Sequence, residues 1–480
     1  MKSFSLCAVF SALLTLVSAV APDWPSLDSR AIPKWYSDAK FGVFCHWGVY
    51  SVPGVNSEWF WRHWQDGDRE ISKYMSDNFK PNFTYQEFAP RFTAELFNAT
   101  EFAEVIKRSG AKYFVITTKH HDGYAMFPTN YSWNWNVMDV GPHRDLIGEL
   151  KEAFLELKKH TKFGIYYSLM EWFHPAYIFD KSVGYKTDYY IKSHLAPQMR
   201  EVVSRYDPDI FWADGDWGPT PEYWKSRDFL SWLYNRSTTV VVNDRWGRGS
   251  VGKHGGFYSY SDEFNPGKLL AHKWEQCLKI DRRSWGYRRT VVADDVLSVH
   301  SIVTKLARTI SCNGNLLLNV GPTPFGRIPP LFEERLAEFG KWMQINAEAV
   351  YGTKPWIHQN DTIEGNVWYT SRIREDSRLA QQLSESRVFN PQDSEETVVY
   401  AFVLDWPHYG TLRLGAPKHT SKMRVQMLGH NHYLTVVPLG GGGIKIDLNA
   451  IPWHTLPSTI AWVIRLEYMA SDSRQPEIII

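Results

Sequence analysis

Six short segments carry groups suited to chemistry on a hydroxyl-rich substrate. They are His46-Trp47-Gly48, Ser57-Glu58-Trp59, His120-His121-Asp122, Tyr166-Tyr167-Ser168, Trp212-Ala213-Asp214-Gly215-Asp216-Trp217 and Asn243-Asp244-Arg245-Trp246. Imidazoles, carboxylates and indoles together are the make-up of a sugar pocket. Polar groups meet hydroxyls, flat rings cover the apolar face of a pyranose, and paired carboxyl groups transfer a glycosyl unit. Trp212 and Asp214 lie two apart, so on a strand both face one side. Asp214 is the obvious nucleophile, although an acid at a buried strand end also fits a structural salt bridge, for which Arg245 is available. Glycosyl transfer needs a second carboxyl group, and two candidates stand open. Asp262 follows the strand-like residues 256–261, and Glu275 lies in Lys273-Trp274-Glu275. Both segments read as loops over one rim. His120 and His121 are adjacent, so on a strand they point to opposite faces, and no further ligands follow at zinc spacing. They read as hydroxyl contacts, and no metal is expected. Lys119 and Asp122 read as loop scaffolding.

A scaffold must bring these segments to one rim. Phe41-Gly-Val-Phe-Cys, Tyr113-Phe-Val-Ile-Thr-Thr, Phe163-Gly-Ile-Tyr-Tyr, Asp209-Ile-Phe-Trp-Ala, Thr238-Thr-Val-Val-Val and Leu316-Leu-Leu-Asn-Val read as buried strands. Helical stripes lie between them. Phe102, Val105 and Ile106 form one that stops at Ser109-Gly110. Asp145 caps another running to about Lys159. Leu195, Met199, Val202 and Val203 form a third, and Leu297, Val299, Ile302, Val303, Leu306 and Ile310 a fourth. Such alternation implies a parallel sheet. It predicts an α/β fold, a (β/α)8-like barrel over residues 22–352, with the active site at the C-terminal strand ends. No Gly-rich phosphate fingerprint follows any strand, which counts against a doubly wound nucleotide-binding sheet. After Tyr351 short strands separated by turns predict a C-terminal antiparallel β-sandwich over residues 353–480. The polar stretch 376–396 reads as a surface insertion.

Composition sets the outer limits. With 44% hydrophobic and 22% charged residues over 480 positions, the chain is globular, not disordered. A net charge of +1 offers no field favouring nucleic acid or an anionic membrane. The 22 Trp raise the prior for carbohydrate binding. Lys2, the apolar run 6–17 and the small residues Val17-Ser18-Ala19-Val20-Ala21 read as a secretory signal peptide over 1–21, with a buried first helix as the alternative. The expected destination is extracellular, with a lysosome or vacuole as alternatives. Of the cysteines, Cys45, Cys277 and Cys312 remain, so at most one disulfide can form. Sequons occur at Asn82, Asn98, Asn130, Asn235 and Asn360.

The run Trp35-Tyr-Ser-Asp-Ala-Lys-Phe-Gly-Val-Phe-Cys-His-Trp-Gly resembles the opening of the α-L-fucosidases of glycoside hydrolase family 29. Ser57-Glu-Trp, Lys119-His-His-Asp-Gly, Trp212-Ala-Asp-Gly-Asp-Trp, Asn243-Asp-Arg-Trp-Gly and Gly314-Asn-Leu-Leu-Leu-Asn-Val-Gly-Pro resemble later motifs of that family, in order. Pro266-Gly-Lys-Leu-Leu-Ala-His-Lys-Trp-Glu-Gln-Cys277 is similar to its signature. The resemblance spans about residues 25–355. It implies an exo-acting, retaining hydrolase that releases terminal α-L-fucose from a fucosylated oligosaccharide or glycoconjugate, with no cofactor. Asp214 matches the nucleophile. His46, Glu58, His120, His121, Tyr167 and Arg245 match positions that hold fucose hydroxyls or the nucleophile, and Trp59 and Trp212 match pocket aromatics. Trp285 sits where the family sets an aromatic against the C6 methyl. The family's acid/base often lies a little after the Asn-Asp-Arg-Trp-Gly motif, which favours Asp262, while Lys-Trp-Glu keeps Glu275 in play. Ser261 replaces a Glu that some relatives carry there. Cys277 reads as structural. Two rival readings are a catalytically silent fucose-binding lectin and a glycosidase for a related sugar such as an α-galactoside.

Overall fold

The computed structural model describes residues 19–157 and 161–480. Residues 1–18 of the expected signal peptide, and the end of the helix expected to reach Lys159, lie outside the described residues.

The apolar runs become parallel strands: β1 (Phe41–Cys45), β2 (Tyr113–Lys119), β3 (Lys162–Ser168), β4 (Ile210–Asp214), β5 (Val241–Val242), β6 (Trp274–Lys279) and β7 (Gly314–Val320). They are buried at nearly every position because helices cover one face and side chains fill the other. Their order is β5-β4-β3-β2-β1-β7-β6, so the last strands return beside the first. Residues 257 and 258 reach both edges. The Phe257 N–H donates to Val242 O at 3.0 Å, and Tyr258 exchanges bonds of 2.9 Å with Lys273 O and the Glu275 N–H. This segment stands where an eighth strand belongs in a (β/α)8-like barrel. Residues 274–279, expected to be loop, form β6, and the strand expected at 238–242 shortens to two residues.

The helices start where polar side chains satisfy free N–H groups. Asn98 accepts from Thr100 and Glu101, Asp145 from Gly148, and Ser298 from Ser301. The expected stripes are inward: Phe102, Val105 and Ile106 in one helix, and Val299, Ile302, Val303, Leu306 and Ile310 in another.

The C-terminal strands are β8 (Lys354–Asn360), β9 (Val367–Ile373), β10 (Thr397–Val403), β11 (Thr411–Leu414), β12 (Arg424–Met427), β13 (Val436–Pro438), β14 (Ile444–Asp447) and β15 (Trp462–Glu467). They form an antiparallel five-stranded sheet, β12-β15-β10-β9-β8, and a three-stranded one, β11-β14-β13. Alternation splits β10 between two cores. Val398, Tyr400 and Phe402 join the barrel's hydrophobic core, and Val399, Ala401 and Val403 join the sandwich core. The stretch 376–396 is surface only in part. Its short helix Arg378–Gln382 buries nothing, but Phe389, Asn390 and Gln392 are buried, and the Trp356 indole donates to Gln392 at 2.9 Å. Cys45, Cys277 and Cys312 are buried free thiols, so the one disulfide that the count permits does not form among them. Among the described residues no helix is long and apolar enough to cross a membrane.

Candidate active site

The C-terminal strand ends surround a cavity of about 130 Å³, room for one pyranose ring. His46, Glu58, Trp59, His120, His121, Trp212, Asp214, Arg245, Asp262 and Trp285 all line it.

Its electrostatic centre is one guanidinium between two carboxylates. Asp214 ends β4, and strand alternation turns it and Trp212 inward together. Arg245 Nη1 donates to Asp214 Oδ1 at 3.0 Å, and its Nη2 donates to Asp262 Oδ1 at 2.6 Å. The guanidinium lies over the Trp212 ring, 4.7 Å from its centroid, and its Nε donates to Ser259 at 3.1 Å. Burial alone would lower the Arg245 pKa, but the two carboxylates outweigh it and hold the pKa well above its usual value. Buried Asp244 fixes the loop that carries Asp262. Its Oδ1 accepts from both the Ser259 N–H (2.9 Å) and the Ser259 hydroxyl (2.7 Å). On the other side, the Tyr166 hydroxyl donates to Asp214 Oδ2 at 2.7 Å. Burial and the Asp214 charge raise the Tyr166 pKa far above the usual phenol range, so it stays a donor.

Three imidazoles line the opposite wall. Burial lowers the pKa of His46, and of His120 and His121 more strongly, so all three are neutral at neutral pH. Two tautomers follow from their partners. Asn319 spends its amide N–H on Trp285 O (2.7 Å), so its Oδ1 accepts from His46 Nδ1 at 2.6 Å. Ser168 donates its hydroxyl to Met170 O (2.7 Å), so its oxygen accepts from His121 Nδ1 at 2.6 Å. The Nε2 atoms of His46 and His121 are therefore acceptors, ready for sugar hydroxyls. His121 Nε2 lies 3.6 Å from Asp214 Oδ2. His120 Nδ1 is buried with no partner. Glu58 directs Oε2 at three donors, the Ser284 hydroxyl (3.2 Å) and the N–H groups of Trp285 (3.0 Å) and Gly286 (3.1 Å). These bonds lock Trp285 as a wall whose ring stands 5.3 Å from that of His46 and 6.2 Å from that of Phe44.

Two expected residues are not in the cavity. Tyr167 follows inward-facing Tyr166, so it points out of the barrel. Its hydroxyl donates to Gln198 at 2.6 Å, and Lys119 lies 4.4 Å over its ring. Tyr166 takes the place expected for it. Glu275 sits on β6 two residues before cavity-lining Cys277, one layer deeper in the barrel. It accepts from Tyr36 (2.8 Å), Tyr113 (2.7 Å) and the Trp212 indole (3.0 Å), which makes it a buried scaffold for Trp212. A third expectation changes its reason. His120 and His121 do not point to opposite faces, because they lie just past the end of β2 where alternation no longer holds, and their rings are 4.2 Å apart. Phe44 and Cys277 line the cavity without having been expected there, and Tyr166 and Trp217, named only within their rim segments, line it as well. Tyr166 could be found only from register, as the neighbour of Trp212 across β3 and β4.

Behind His120 and His121, Glu171, His174 and His194 come close enough to share a cation. The carboxylate is already met by the buried Lys119 ammonium at 2.7 Å and by His194, and His174 Nδ1 accepts from the Ala176 N–H. The donors are occupied in holding the loop, as expected for Lys119.

A one-ring cavity with aromatic walls and two carboxylates across one guanidinium defines a glycoside hydrolase on a (β/α)8-like barrel. A family profile described as Alpha-L-fucosidase matches residues 10–348, and one described as Alpha-L-fucosidase C-terminal domain matches residues 359–467. A putative α-L-fucosidase of Caenorhabditis elegans is 48% identical over 95% of this chain and 94% of its own. The tissue α-L-fucosidase of Bos taurus is 47% identical over 93% and 90%. A crystal structure of Thermotoga maritima α-fucosidase in complex with fucose aligns with a TM-score of 0.76 at 30% identity, over 93% of this chain and 99% of that one. The chain belongs to the α-L-fucosidase family of glycoside hydrolases, and its activity is that of the family.

Proposed function

We propose that the chain is a retaining exo-α-L-fucosidase that removes terminal fucose by double displacement. The observation that carries this reading is the shared Arg245. Asp214 and Asp262 are separated by one guanidinium and two hydrogen bonds, a short span suited to a nucleophile facing an acid/base. In the first step an Asp214 oxygen attacks the anomeric carbon while the Asp262 carboxyl proton passes to the departing glycosidic oxygen. In the second, the Asp262 carboxylate takes a proton from water, the water oxygen attacks the anomeric carbon, and Asp214 leaves as a carboxylate. Arg245 and Tyr166 each donate to one Asp214 oxygen and so hold that carboxylate in place. His46, His121 and Glu58 offer acceptors to ring hydroxyls. Trp285 and Phe44 form an apolar wall that suits a methyl better than a hydroxymethyl, which favours the 6-deoxy sugar over a galactoside.

The test is hydrolysis of an aryl α-L-fucoside, with the first-formed anomer read by proton NMR. Asp214→Ala should lose turnover and regain part of it with azide. Unchanged turnover in that variant, or first release of the β-anomer, would refute the reading. Secretion is part of the proposal. It is supported by the N-terminal segment and by the five sequon asparagines, every one of which is exposed. Glycosidase-sensitive mobility of the protein in the culture medium tests it.

A further inference from the structure

The catalytic cavity holds one ring, so whatever fucose is attached to must leave through the rim. At the rim stands Trp217, a large aromatic side chain with one face free. Gly215, at φ 72°, turns the chain sharply after Asp214, where a Cβ would stand 2.8 Å from Ser168 Oγ. Asp216 then anchors the turn. Its carboxylate accepts from the Gly247 N–H at 3.1 Å, and its carbonyl accepts from the Trp224 indole at 3.3 Å. The Trp217 ring packs at 5.2 Å edge-on to His121 and at 6.1 Å, 17° from parallel, beside Trp59, yet remains 48% exposed. An indole fixed on one side and open on the other, at the mouth of a polar cavity, is a platform for the apolar face of a second sugar. The next three residues, Gly218, Pro219 and Thr220, line a separate open cavity of about 580 Å³. Its other walls include Tyr185, Lys186 and Arg248. That volume lies in the range of about 300–1,000 Å³ typical of small-ligand sites, enough for roughly two or three sugar rings. Lys186 and Arg248 are exposed and belong to no ion pair among the described residues, so their donors are free for hydroxyls.

We infer that Trp217 and the groove behind it form a leaving-group subsite that takes the oligosaccharide to which fucose is attached, with the first sugar stacked on Trp217 and later ones in the groove by Lys186 and Arg248. This deepens the proposed function and rests on it. The consequence is selectivity among substrates by the length of the leaving group.

The test compares fucosyl fluoride, whose leaving group has no ring, with a fucosyl disaccharide and a fucosylated tetrasaccharide. In Trp217→Ala the ratio of kcat/KM for disaccharide over fluoride should fall about ten-fold, the scale of one lost ring stack. In Lys186→Ala/Arg248→Ala, two exposed positions with little bearing on folding, the ratio for tetrasaccharide over disaccharide should fall about five-fold. A disaccharide-to-fluoride ratio within two-fold of wild type in Trp217→Ala would overturn the platform. An unchanged tetrasaccharide ratio in the double variant would overturn the groove. Wild-type enzyme inert to fucosyl fluoride would instead refute the functional reading beneath both.

Discussion

Replacing Glu275 with Gln should unsettle the barrel interior and leave proton transfer intact. Glu275 Oε2 accepts from Tyr36 and Tyr113, and Oε1 accepts from the Trp212 indole. Burial raises its pKa, and those donors oppose the rise. A Gln amide can keep its oxygen toward the two phenols, but its NH2 then faces the indole N–H, donor to donor. The indole N–H and the amide NH2 are both left unsatisfied, at a cost of about 1–3 kcal/mol each. Glu275→Ala strands all three donors, about 3–9 kcal/mol, against a total stability of about 5–15 kcal/mol. Asp262 contrasts with this. Its side chain is 51% exposed, so Asp262→Asn should cost little stability. If it is the proton donor, the same change should slow poor leaving groups about 10²–10⁴-fold and activated ones far less. The assay pairs urea unfolding with kcat/KM across aryl fucosides of graded leaving-group pKa. If Glu275→Gln unfolds like wild type and its rate loss steepens with leaving-group pKa, while Asp262→Asn gives a flat loss, the assignment is wrong and Glu275 is the acid.

Asp216 gives a pH signature. Burial, with the nearby Asp214 charge, pushes it up to about 6 from 3.8. A raised carboxyl pKa means the folded protein holds a proton that the unfolded chain releases, so stability falls as pH rises from about 4 to 6, by about 3 kcal/mol. Asp216→Asn keeps an acceptor for the Gly247 N–H and should flatten that slope in urea melts. Parallel wild-type and variant profiles would exclude Asp216 as the source. The Lys119–Glu171 pair is buried at 0% and 7% exposure. Lys119→Met should lower stability by about 3–5 kcal/mol, and Lys119→Met/Glu171→Leu should recover part of that loss. Strict additivity of the two single losses in a double-mutant cycle would show that the pair is not coupled.

The chemistry at strand ends was largely legible in the sequence, because residue type there is dictated by the cavity. His46, Trp212, Asp214 and Arg245 stand where apolar runs end, and all four line the cavity. Depth was not legible. Asp262 follows a strand-like run and Glu275 lies within Lys273-Trp274-Glu275, and both segments read as loops over one rim. Only the fold shows that Glu275 lies on a strand, below Cys277, while residues 257–258 close the barrel and lift Asp262 to the rim. Facing failed at Tyr166 and Tyr167 for a related reason. A one-residue choice of register swaps inside for outside, and nothing in Phe163-Gly-Ile-Tyr-Tyr specifies it. The sandwich was legible from its turn-punctuated strands, but the burial of Phe389, Asn390 and Gln392 depends on long-range partners such as Trp356.

The five-stranded sheet sends Val398, Tyr400 and Phe402 into the same apolar mass as the barrel helices, and the Trp342 indole is tied to Ala461 O at 3.0 Å. The two halves are thus joined along a largely apolar seam, not strung on a tether. Cutting the chain near residue 352 would lay bare large aromatic surface on both fragments. The rear half is therefore a buttress for the catalytic half, and exchanging it for an unrelated module would mean rebuilding the outer skin of the barrel.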